Sequence, residues 1–139
     1  MSFRVQSAWI SLVSTLAVFG FYFWRLSQAV VRGAVDAPDM LWLLGGCIVV
    51  TVIIQVALHI VIAARAPKDA RLAADERERV VDLKAARTAY AVLSVGVVLA
   101  AFSIHAPISA FLVANLALGA LVTAEIVRFA SQIAYSRGA

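Results

Sequence analysis

The run from Arg65 to Arg87, RAPKDARLAADERERVVDLKAAR, is the one long polar segment of this chain. It holds seven of the twelve Lys and Arg residues and five of the eight acids. Apolar stretches flank it on both sides. Each is long enough to cross a bilayer, whose core of about 30 Å takes about 20 apolar residues as helix. The chain is 63% hydrophobic and 14% charged, with a mean hydropathy of +0.94. A soluble domain is about 45–50% apolar and about 25% charged, so composition argues against a water-soluble globule. A single transmembrane domain over residues 1–139 is expected instead. The net charge of +4 is no sign of nucleic acid, because the cations alternate with acids and sit beside the spans. That placement suits an anionic membrane surface. The single Cys47 lies in an apolar run, which leaves no intrachain disulfide and no thiolate metal cluster.

An all-α, four-helix membrane bundle follows, with helices at about 8–26, 40–64, 69–105 and 108–132. The first apolar stretch exceeds the roughly 7–15 residues of a cleaved signal. It ends in Phe21, Tyr22, Phe23 and Trp24, which read as an aromatic belt at the bilayer edge, so it is expected to be retained as a span. Gly33 and Pro38 break the chain before the second span, where Asp36 or Asp39 can cap the new helix. No Gly or Pro occurs between Lys68 and Val95, so the third helix is expected to begin near Asp69 as a charged stalk. Ala106 and Pro107 form a tight turn into the fourth span.

Basic residues in short loops set orientation. With the N-terminus inside, the cytoplasmic side holds ten: Arg4, the seven of the central run, Arg128 and Arg137. Two, Arg25 and Arg32, remain outside. The sequence thus places both termini in the cytoplasm of a bacterial inner membrane. Gly45, Gly46, Gly96 and Gly119 offer small surfaces for close helix approach, and a homo-oligomer, a dimer first of all, is expected.

Ionisable groups within a membrane are costly and are functional candidates by default. His59 and Glu125 are two such groups, with Gln55 one turn before His59 and Tyr90 on the third helix. His59, Glu125 and Tyr90 fall at a similar depth, roughly 6–9 Å inside the inner boundary at about 1.5 Å per residue. A His59–Glu125 pair beside Tyr90 would make a ligand or proton site that titrates near neutral pH. The alternative is structural: Glu125 pairs with Arg128 three residues on, and His59 donates to a backbone carbonyl. His105 sits at the opposite turn, which argues against a haem shared with His59. No HExxH, CxxC, GxSxG, Walker or GxGxxG pattern occurs, so neither an enzyme nor a cofactor or metal is expected.

The charged run has two readings of its own. One is a solvated helix face whose i, i+4 ion pairs are worth only a few tenths of a kcal/mol. The other is a docking surface, for a cytoplasmic partner or for the same segment of a second subunit, through Asp75, Glu76, Arg77, Glu78, Arg79 and Lys84. The string DERERVVDLKAARTAY, Asp75 to Tyr90, resembles a segment in a family of small prokaryotic four-span membrane proteins. In that family a DERER-like stretch and a Lys-Ala lead directly into a membrane helix. The resemblance covers about sixteen residues and the four-span layout, and it carries no activity with it. It implies a membrane partner for a small helix-turn-helix regulator. Two functions stand open: a non-enzymatic sensor or interaction protein working through the stalk, and a small proton-coupled carrier working through His59 and Glu125.

Overall fold

The computed structural model describes residues 3–65 and 76–137. These form four α-helices, with no strand among the described residues: α1 (Phe3–Val31), α2 (Ala37–Arg65), α3 (Glu76–Phe102) and α4 (Ala110–Arg137). A short 3-10 turn, Ser103–His105, follows α3. All four helices are long and apolar enough to cross a membrane. The fold is therefore all-helical, as composition required.

Local chemistry explains where the helices stop. Gly33 adopts a φ of 63° just beyond α1. Its N–H bonds the Val30 carbonyl, and the Ala34 N–H bonds that of Ala29. This paired closure needs a left-handed residue, and glycine takes that conformation at no steric cost. The Asp36 carbonyl accepts the first bond of α2 from Met40, and Asp39 lies in the first turn, where a carboxylate suits the helix dipole. Ala106 is extended before Pro107, as the proline ring demands. Ser109 then caps α4, its Oγ accepting from the Leu112 N–H at 3.3 Å and its carbonyl from Val113.

Several bounds differ from those read in the sequence. α1 runs from Phe3 to Val31 rather than 8–26, and α4 reaches Arg137 rather than 132. The start of the stalk near Asp69 lies outside the described residues. The aromatic belt also needs correction at Tyr22, because α1 continues for two turns past Trp24. Phe21 and Trp24 do face outward, but Tyr22 is completely buried. Its hydroxyl requires a partner away from water, and α4 supplies one.

Three helix pairs make extensive contacts: α1 with α2, α1 with α4, and α3 with α4. The packing order is thus α2–α1–α4–α3. α2 and α3, at the two ends of this order, leave the most apolar surface uncovered. Tyr22, Leu26, Met40 and Cys47 form the buried cluster where α1, α2 and α4 meet. Gly96 lets α3 sit close against α4: a Cβ there would lie 2.4 Å from the Ala120 Cβ. Gly119 faces the Phe23 ring across the α1–α4 contact. Both glycines were expected at an interface between subunits, but each is occupied within the chain. Gly45 and Gly46 remain open.

Candidate functional site

The described polar side chains fall into separate groups. The first joins α1 to α2 near the end of the bundle where α2 reaches Arg65. His59 and Gln55 share a face of α2, four residues apart. The His59 Nδ1–H donates to the Gln55 carbonyl at 2.5 Å, and Nε2 meets the Ser7 hydroxyl of α1. A carbonyl has no proton to give, so Nδ1 must be the donor in that bond. The neutral ring is therefore the Nδ1–H tautomer, with the Nε2 lone pair accepting from Ser7.

Glu125 forms no part of this group. Its carboxylate lies 3.7 Å from the Arg128 guanidinium, and both side chains are about half exposed. The expected His59–Glu125 pair is not formed. His59 stands on α2 and Glu125 on α4, and each of those helices packs against α1. Tyr90 shares the level of Glu125 along the α3–α4 pair but is 72% exposed, its ring directed away from the bundle. His59 and Gln55 are thus brought together, while Glu125 and Tyr90 stay apart from them.

A second group lies deeper. The Tyr22 hydroxyl donates to Asn115 Oδ1 at 2.6 Å, and Asn115 Nδ2 donates to the Phe111 carbonyl at 2.9 Å. Asn115 is 6% exposed. It closes one side of an open, largely apolar groove of about 430 Å³ between α1 and α4, lined also by Leu16, Gly20, Phe23 and Gly119.

The third group lies at the base of α3. Gln132 of α4 donates to Asp82 Oδ1 at 3.2 Å, tying the two helices together below the small-residue contact. Glu76, Arg77, Arg79 and Lys84 are exposed there, and Glu78 is half-buried. Asp75 lies outside the described residues. Among the described residues, no cluster of three or more His, Cys, Asp or Glu side chains forms a metal site.

Sequence reasoning missed Ser7, the partnership of Tyr22 with Asn115, and the Asp82–Gln132 tie. A signal for Ser7 existed: Ser7, Ser11 and Ser14 recur at helical spacing on one face of an apolar segment. Polar residues on a membrane helix face its neighbours, and Ser7 of that stripe meets α2. Nothing comparable points to Gln132, one polar residue at the expected end of the fourth helix. No protein-family model, curated protein or solved structure matches this chain.

Proposed function

We propose that the chain is a small multi-pass protein of the bacterial inner membrane, with both termini cytoplasmic. In this reading it acts without catalysis, as a sensor or interaction protein that docks a cytoplasmic partner or a second copy at the base of α3. The asymmetry of ten basic residues against two supports the orientation. One observation carries the docking reading. Glu76–Arg79 continue the same helix that packs on α4, and the Asp82–Gln132 bond anchors that helix close to the charges. Arg77, Arg79 and Lys84 are therefore exposed on a fixed element. A pre-set charged surface loses less freedom on binding than a flexible one.

The carrier reading requires His59 and Glu125 in one site, and they hold different partners on different helices. Docking is the better supported of the two. A photo-crosslinking residue in place of Arg77, in native membranes, should give a protein adduct of defined mass. The double reversal Glu76→Lys and Glu78→Lys should remove that adduct while leaving membrane extraction unchanged. Adducts to lipid alone, or a protein adduct indifferent to the reversal, would defeat the docking reading.

A further inference from the structure

The charged run alternates in sign along the sequence, but on α3 the two signs part onto different faces. Glu78, Asp82, Ala85 and Ala89 recur at three- and four-residue spacing and so share one side of the helix. That side is turned to α4: Ala85 and Ala89 are buried, Glu78 is half-buried, and Asp82 accepts the Gln132 bond. Val80, Leu83, Lys84, Arg87 and Tyr90 are linked by the same spacing into a second stripe. All five are exposed, Leu83 at 71% and Tyr90 at 72%. The second stripe carries two cations and no acid.

Neither cation has a counter-charge within reach. On a helix the neighbours of a side chain lie three and four residues away. For Lys84 these are Val80, Val81, Arg87 and Thr88, and for Arg87 they are Leu83, Lys84, Tyr90 and Ala91. None is an acid, and the two cations stand three apart as like charges. Neither forms an ion pair among the described residues. The one acid of α4, Glu125, is paired with Arg128. Residues 66–75 hold two cations, Lys68 and Arg71, and two acids, Asp69 and Asp75, and so add no net charge.

Depth narrows what can answer the two cations. Hydrocarbon takes about 20 residues of helix. Counted back from Phe102, where α3 ends, that length reaches Leu83. Lys84 and Arg87 then stand within the first few residues of the span, where a cation is costly unless its stem carries the charge out to the headgroups. Side chains on a helix lean toward its N-terminus, here the charged end, so both stems are aimed that way. We infer that Lys84 and Arg87 hold the phosphate of an anionic phospholipid from the leaflet at this end of the bundle. A guanidinium takes two phosphate oxygens side by side, and an ammonium adds a third contact as a point charge. Leu83 and Tyr90 on the same face offer apolar surface to the start of the acyl chains. The site presupposes the membrane reading above and goes beyond it. It assigns Lys84 to the membrane and leaves Arg77 and Arg79, seven and five residues before it, to a protein partner.

Full-length protein in phosphatidylcholine vesicles tests this, with a trace of spin-labelled phosphatidylglycerol or spin-labelled phosphatidylcholine. The measured quantity is the fraction of each labelled lipid immobilised on the protein. A cation near a charged surface is worth about 1 kcal/mol, about fivefold in an equilibrium constant, so phosphatidylglycerol should be preferred by about fivefold or more. Lys84→Gln with Arg87→Gln should abolish the preference. Lys84→Arg with Arg87→Lys, which keeps both charges, should retain most of it. Arg77→Gln with Arg79→Gln removes equal charge from the same helix and should leave the preference nearly unchanged. An equal loss from that last pair would mean diffuse attraction to the leaflet and would overturn the site. So would a preference that survives Lys84→Gln with Arg87→Gln, or no preference in the unmodified chain. A chain that fails to enter vesicles at all would bring down the membrane reading, and the site with it.

Discussion

The two hairpins of this molecule are closed by different chemistry. Along α3–α4 the contact is built from small apolar residues: Ala85, Ala89 and Ala100 are buried on α3, Ala124 on α4, and Gly96 meets Ala120. Along α1 the buried residues include hydroxyls, Ser11, Ser14 and Thr15, and Thr51 is buried on α2. Lipid tails are as apolar as leucine, so a membrane helix gains little by burying leucine against a neighbour. What remains is close approach, which maximises dispersion contacts, or a polar bond that lipid cannot offer. The α3–α4 hairpin relies on the first of these. The α1–α2 hairpin joins an apolar cluster around Tyr22, Leu26, Met40 and Cys47 to one polar bond across the helices, Ser7 to His59, while Ser14 and Thr51 bond within their own helices.

The largest effect should come from the tight seam. At Gly96 even a Cβ would collide with Ala120, with backbone on both sides, so valine forces the helices apart. Gly96→Val should cost about 3 kcal/mol, the upper range for overpacking a well-fitted contact. Reversible unfolding in mixed micelles would measure it. Gly45→Val, at a position with nothing within 4 Å, should fall within about 0.5 kcal/mol of the parent chain. Equal costs at the two glycines would mean that close approach does not set the stability of α3–α4.

The same contrast explains what could be read from the sequence. Four spans and the break at Gly33 were legible because hydropathy and backbone geometry are local properties of the chain. The local Glu125–Arg128 pair was legible for the same reason, being three residues apart on one helix. Equal depth alone puts His59 and Glu125 within reach of each other, and depth is not enough. Which helices are neighbours decides the matter, and the packing order α2–α1–α4–α3 has no local signature. The reading of Tyr22 failed likewise. An aromatic run at the end of an apolar stretch looks like an interfacial belt until the helix is seen to continue, with Asn115 waiting on another helix.

Tyr22→Phe should rank second. It deletes one oxygen and leaves Asn115 Oδ1 without its donor in a buried position. Leaving a buried acceptor unpaired costs about 1–3 kcal/mol in water-soluble proteins. Between membrane helices the measured average is nearer 0.6 kcal/mol, because the dissociated helices also find partners. A loss of about 1 kcal/mol is expected. Adding Asn115→Ala should then cost less than the two single changes summed, because the second change removes the acceptor that the first left unpaired. Full additivity would show that the two side chains are neighbours without being energetically linked.

The smallest effect should be that of Gln132→Ala. Its bond to Asp82 is 3.2 Å long and only partly buried, at the charged end of the hairpin. Water can replace the lost donor there, so the cost should be a few tenths of a kcal/mol, as for other solvent-accessible polar pairs. This is also the sharpest test of the contrast between the hairpins, because Gln132–Asp82 is a polar tie inside the seam attributed to close packing. If Gln132→Ala proves as damaging as Tyr22→Phe, polar bonds hold both hairpins and the distinction fails. If it is nearly silent in unfolding yet alters crosslinking from position 77, the bond serves to aim the base of α3 rather than to hold the bundle together. A small loss of stability joined to a large loss of docking is the pattern expected of a residue that fixes where the charges point.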